Sequence, residues 1–186
     1  MLGFHLVNRV SHSRQGWLAH PHPIPRSLRS WLSDHGSLTQ RLKARCASFR
    51  VVPLATGIAR PNPDEYALLG MAPGSRAYVR EVMLLCNEVP VVFAHSVLPH
   101  TGLRGGWNGI TRLGSRSLGE VLFSDHSIAR RPLAYRQVRH DHALFHAIAR
   151  QQPLAASSLW ARRSVFCLNG HPLLVTEVFL PAIDTL

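Results

Sequence analysis

Two charged side chains stand where the pattern calls for apolar ones. In the run 159–181, LWARRSVFCLNGHPLLVTEVFLP, Glu177 falls at two-residue spacing from Leu173, Val175 and Phe179. Side chains alternate along a strand, so these four share a face. In the run 77–86, AYVREVMLLC, Arg80 shares its face with Tyr78, Val82 and Leu84. A charge on an otherwise apolar face is costly unless it is paired or put to use. Two readings fit. Arg80 and Glu177 form a cross-strand ion pair, worth about 1 kcal/mol or less where exposed. Alternatively, they grip opposite ends of a polar ligand lying over the apolar side chains. A third group, His140, His142 and His146, includes two residues four apart, which on a helix can hold a metal. No HExxH arrangement or fourth ligand accompanies them, and twelve histidines make such spacings easy by chance. A solvated histidine-rich helix is the preferred reading.

The elements that must position these residues follow from periodicity. Leu28, Trp31 and Leu32 have helical spacing, and Gly36 ends the run. Ser37-Leu38-Thr39-Gln40 and Ser117-Leu118-Gly119-Glu120 are capping-box patterns. They predict two helices whose first residues, Leu38 and Leu118, carry backbone N–H groups without helical partners. The first is expected to run to about Cys46, the second through Phe123. Residues 49–59 read as a strand bent at Pro53, and 61–74 as a loop holding one helical turn. Residues 77–98 read as a hairpin turning at Asn87-Glu88, and the final run as a hairpin turning at Asn169-Gly170, a dipeptide suited to positive φ. Between them, residues 101–115 are a glycine-rich connection expected to be mobile, 131–139 a strand, and 140–152 a helix stopped by Pro153. Helices, three strands, a helix, a strand, a helix and a hairpin make an α+β domain with a mostly antiparallel sheet.

Length and composition bound the function. The chain of 186 residues, 46% hydrophobic, suits one domain with a sizeable core. Residues 1–26 read as a basic, poorly ordered arm, with four histidines and no acidic residue, and 27–186 as the domain. The net charge of +11, almost all from arginine, favours an anionic partner. No nucleic-acid-binding signature is present, and steering of a small anionic substrate accounts for the charge equally well. Cys46, Cys86 and Cys167 are odd in number and in no CxxC spacing. That argues for a reducing, cytoplasmic setting and against a disulfide framework or zinc site. No apolar run reaches the length of a membrane span. No dinucleotide or P-loop fingerprint appears.

Five blocks, taken together, carry a resemblance: SLTQRL at 37–42, YVREVMLLC at 78–86, RSLGEVLF at 116–123, LWARRS at 159–164 and NGHPLLVTEVFLP at 169–181. In this order they resemble the chorismate pyruvate-lyase family, which makes 4-hydroxybenzoate, the ring precursor of ubiquinone, and pyruvate from chorismate. The resemblance implies an antiparallel sheet with two helix-turn-helix flaps over an enclosed ligand. It implies ligand contacts from Arg80 (in YVRE), Glu177 (in LLVTE) and the backbone amides of Leu38 (in SLT) and Leu118 (in SLG). Arg80 and Glu177 would be catalytic, with a carboxylate received by Arg80 and the helix starts and a hydroxyl by Glu177. Hydrogen transfer would run within the substrate, or Glu177 would act as base, a role that pairing with Arg80 would weaken. No metal, nucleotide or organic cofactor is implied. The same fold serves as the effector-sensing domain of bacterial regulators, a non-catalytic alternative. The roughly thirty residues before the first block are too few for the winged helix those regulators carry.

Overall fold

The computed structural model describes residues 16–20 and 23–186. Among them, seven strands form one antiparallel sheet: β1 (Phe49–Ala59), β2 (Ala77–Cys86), β3 (Val89–Pro99), β4 (Ala129–Arg130), β5 (Ala134–Arg139), β6 (Ser158–Leu168) and β7 (His171–Phe179). Their spatial order is β1-β2-β3-β7-β6-β4, with β5 also pairing with β6. The two long hairpins are therefore joined through β3 and β7. Each turns where two consecutive residues take positive φ, Asn87 and Glu88 in one, Asn169 and Gly170 in the other. The bend in β1 appears as a shift of register between Pro53 and Ala55. Proline cannot donate to the ladder, and β1 is an edge strand, where that loss is tolerated.

Each face of the sheet is covered. On one face lie α1 (Arg26–Ser33), α2 (Leu38–Lys43) and α4 (Leu118–Ser124), the last reached through the one-turn α3 (His100–Leu103). Trp31, Leu32, Leu38 and Leu42 from the first pair pack on Val82, Leu84, Val92 and Phe179. Leu118 and Leu122 pack with Phe166 and Leu173. The other face receives α5 (Ala143–Ala149), whose Leu144, Ala147 and Ile148 follow helical spacing and meet Met83, Phe93, Ala161 and Val178.

Several expectations are corrected. Residues 16–20 and 23–26 are not a loose arm. Trp17 is buried against the back face and donates from Nε1 to Asp64 Oδ2 at 2.6 Å, Leu18 pairs with Tyr135, and α1 begins at Arg26. The remainder of the proposed arm lies outside the described residues. The glycine-rich connection is packed: Trp107, Ile110 and Leu113 are buried, and Trp107 Nε1 donates to the His171 carbonyl at 2.9 Å. Glycine is needed there for close approach, since a Cβ on Gly106 would meet Leu168 Cγ at 2.7 Å. Cys46 and Cys86 are joined in a disulfide, with Cα atoms 5.4 Å apart, so distance in sequence did not keep them apart in space. Finally, His142 is the N-cap of α5 and accepts from the Leu144 amide. It stands outside the helix, so it shares no helix face with His146.

Candidate active site

Arg80 and Glu177 project on the same face of the sheet, but they do not pair. Arg80 on β2 lies opposite Ser96 on β3, and Ser96 opposite Val175 on β7; the next row is Val82, Ala94, Glu177 and Arg162. β3 thus separates the two charges, and strands stand about 4.8 Å apart. The partner of Glu177 is Arg162 on β6, whose Nε donates to Glu177 Oε2 at 2.5 Å. Arg162 is 1% exposed, and its other donor group reaches the carbonyls of Trp31 at 2.7 Å and Asp34 at 2.6 Å. One guanidinium therefore fixes the glutamate and the end of α1 together. Of the two readings of Arg80 and Glu177, this excludes the cross-strand ion pair. The signal was legible in LWARRS: two arginines on a strand whose other side chains are mostly apolar, one delivered to each face.

Arg80 is committed elsewhere. It is 3% exposed, and its Nη2 donates to the carbonyls of Gly114 at 3.0 Å and Arg116 at 2.9 Å, bracing the segment that leads into α4. Its Nε is buried without a partner. Burial pushes this guanidinium below its ordinary value. Arginine nonetheless stays protonated in proteins, so the group is a fixed cation with an unused donor.

The two helix starts meet above it. Ser37 caps α2 as its pattern predicts, its hydroxyl accepting from the Gln40 amide at 3.3 Å. Ser117 does not cap α4. Its hydroxyl instead shares a 2.6 Å hydrogen bond with Thr39 Oγ1, and Glu120 pairs with Lys43 across the same junction. The expected second capping box is thus replaced by a bridge between helices. Gly119 permits it: a Cβ there would meet Thr39 Oγ1 at 2.8 Å.

Leu38, Arg80, Leu118 and Glu177 all line one cavity between the sheet and these helices. Thr39, Gly119 and Leu122 from the helices and Leu84 and Ala94 from the sheet also line it. Val82, Val175 and Phe166 supply apolar wall. Arg130, which sequence reasoning did not single out, also faces it. The arrangement offers a buried cation and two helix starts, flat apolar walls, and a carboxylate held in place by a buried arginine. It can accept a small ring carrying an anionic group and a hydroxyl. The histidines at 140, 142 and 146 take no part in this cavity.

The chorismate lyase family model matches residues 11–185. The chain belongs to the chorismate lyase family. It is 55% identical to a probable chorismate pyruvate-lyase of Thiobacillus denitrificans, with 96% of each chain covered. It is 49% identical to one of Aromatoleum aromaticum, over 94% of this chain and 97% of that one. A third, from Nitrosomonas europaea, is 46% identical over 90% and 95%. Among solved structures, the C-terminal domain of the histidine utilization repressor from Pseudomonas syringae superposes with a TM-score of 0.52 at 9% identity, covering 73% of this chain and 93% of that one. PhnF from Mycobacterium smegmatis gives 0.51 at 16%, covering 80% and 65%. At those identities the likeness is one of fold: an antiparallel sheet shared by lyases and regulators.

Proposed function

We propose that the protein is a chorismate pyruvate-lyase, converting chorismate to 4-hydroxybenzoate and pyruvate in the cavity between the sheet and α2 and α4. The observation that carries this reading is the buried Arg80, whose Nε lacks a partner, in one cavity with the starts of both helices and with Glu177. Membership of the family supplies the reaction class.

In this reading Arg80 takes the ring carboxylate by a charge-assisted hydrogen bond, with the amides of Leu38 and Leu118 beside it. Glu177 accepts from the ring hydroxyl, and Arg162 holds it at the orientation needed. The ether bond between ring carbon and enolpyruvyl oxygen breaks, and its electrons complete the keto group of pyruvate. The hydrogen on the hydroxyl-bearing ring carbon passes to the enolpyruvyl methylene, which becomes the methyl group, and the ring is left aromatic. The six atoms involved form a ring, so the transfer needs no outside base. The protein contributes chiefly by holding the side chain over the ring and by fixed charge.

The test is to incubate the purified protein, in chelator, with chorismate. Appearance of 4-hydroxybenzoate and pyruvate in equal amounts is expected. Binding of 4-hydroxybenzoate without turnover would support a non-catalytic sensing domain instead.

A further inference from the structure

Arg130 is the cation at the cavity to which the proposed reaction assigns no task. It lies on the two-residue edge strand β4 opposite Phe166, so it projects on the ligand face. Its guanidinium rests over the rings of Phe166 and Phe123, 5.1 and 5.5 Å from their centroids. Nη1 donates to the His35 carbonyl at 2.7 Å, in the connection between α1 and α2. Nε is buried and has no partner. Two aromatic faces and one carbonyl therefore fix the plane of a cation that keeps an unused donor, an arrangement suited to a carboxylate.

Its neighbour indicates which carboxylate. Arg130 donates to the carbonyl of His35, and Arg162, which holds Glu177, donates to that of the adjacent Asp34, so the Arg130 guanidinium and Glu177 occupy the same end of the cavity. Chorismate carries two carboxylates. Its ether carbon adjoins the carbon bearing the hydroxyl, so a hydroxyl on Glu177 brings the enolpyruvyl group to this end. There a second carboxylate would be repelled by Glu177 unless a cation intervened. Arg162 is unsuited, being spent on Glu177 and two carbonyls and absent from the cavity lining. We propose that Arg130 binds the enolpyruvyl carboxylate of chorismate, the one that departs with pyruvate, and so distinguishes substrate from product. The inference rests on the proposed function. When pyruvate leaves, this contact goes with it, and 4-hydroxybenzoate retains only Arg80, the helix starts and Glu177.

The experiment compares kcat/KM for chorismate with the inhibition constant of 4-hydroxybenzoate in wild type, Arg130→Met and Arg130→Gln. Loss of a charged contact to substrate alone should lower kcat/KM on the order of 10–100-fold while moving the inhibition constant less than about three-fold. Arg130→Gln removes the charge yet can still donate to the His35 carbonyl, so it should behave like Arg130→Met and carries the test if the latter does not fold. If the inhibition constant weakens in parallel with kcat/KM, Arg130 only pins the α1–α2 connection, and the inference is overturned. Unchanged kcat/KM in either folded variant overturns it too. A wild type that leaves chorismate intact contradicts the function itself, an outcome separable from these.

Discussion

Glu177 matters at the cavity because Arg162 makes a lone carboxylate on an apolar strand tolerable. Their contact is buried on the arginine side, and Nη1 of Arg162 also donates to the carbonyls of Trp31, Leu32 and Asp34, while the second oxygen of Glu177 is left for a ligand. Removing one partner of such a pair is costlier than removing both, because the survivor loses its compensation. Arg162→Met should therefore destabilise the fold by about 3–5 kcal/mol, read from denaturant unfolding. Arg162→Met combined with Glu177→Met should recover part of that loss. A double variant no more stable than Arg162→Met would show that the carbonyl contacts, not the ion pair, are what Arg162 provides. At this scale the sequence was half legible. Alternation placed Arg80 and Glu177 each on an apolar face of its own strand; in the structure these are one face of the sheet, and both line the cavity. It could not count the strand between them, because strand order across a sheet is a non-local fact. The same gap hid Arg130, which reaches the cavity from an edge strand of only two residues, too short for any period.

Elements were legible wherever local chemistry is strong. Both hairpins turn at an asparagine, a residue that tolerates positive φ, followed by Gly170 in one and Glu88 in the other, and α2 starts at its capping serine. The failures came where a tertiary contact outbid a local one. Ser117 gave up its cap for Thr39, and Glu120 left the box to pair with Lys43, since the starts of α2 and α4 approach closely at Gly119. In the connection between β3 and α4, glycine signals flexibility when read alone. In the structure those glycines let the chain lie against Leu98, Leu168 and His171, and Trp107 locks it down. Trp17 is a similar case: a buried indole near the chain start, stacked on Arg163 with 4.1 Å from the guanidinium carbon to the ring centroid, is fixed by that arginine and by Asp64, both far along the chain. The bridge from Cys46 to Cys86 likewise ties the end of α2 to the end of β2, across a sequence separation of 40.

At the scale of the whole molecule, both faces of the sheet bury charge. The ligand face keeps unused donors on Arg80 and Arg130 and the back face on Arg163, and on the back face His95 is enclosed between carboxylates. Its Nδ1 lies 3.0 Å from Glu81 and its Nε2 3.2 Å from Glu65. Burial alone would depress this imidazole; Glu65 and Glu81 outweigh burial and raise it to about 10, from an ordinary 6.5. A group raised on folding adds stability that is full below its unfolded value and is lost as pH climbs through its folded one. The melting temperature should therefore fall between pH 6.5 and about 10, and the fall should be shallower in His95→Gln. Equal slopes would mean that His95 is not protonated in the fold. His95 lies between Ala94 and Ser96, which line the cavity, so the back-face cluster supports the strand that forms the cavity floor. The central claim is that chorismate turns over in that cavity. It is tested most directly by following 4-hydroxybenzoate formation from chorismate in wild type and Arg80→Met, purified side by side and matched for folded protein by circular dichroism. We expect turnover by the wild type and a loss on the order of 100-fold or more in kcat/KM for Arg80→Met; equal turnover by the two proteins would contradict the account.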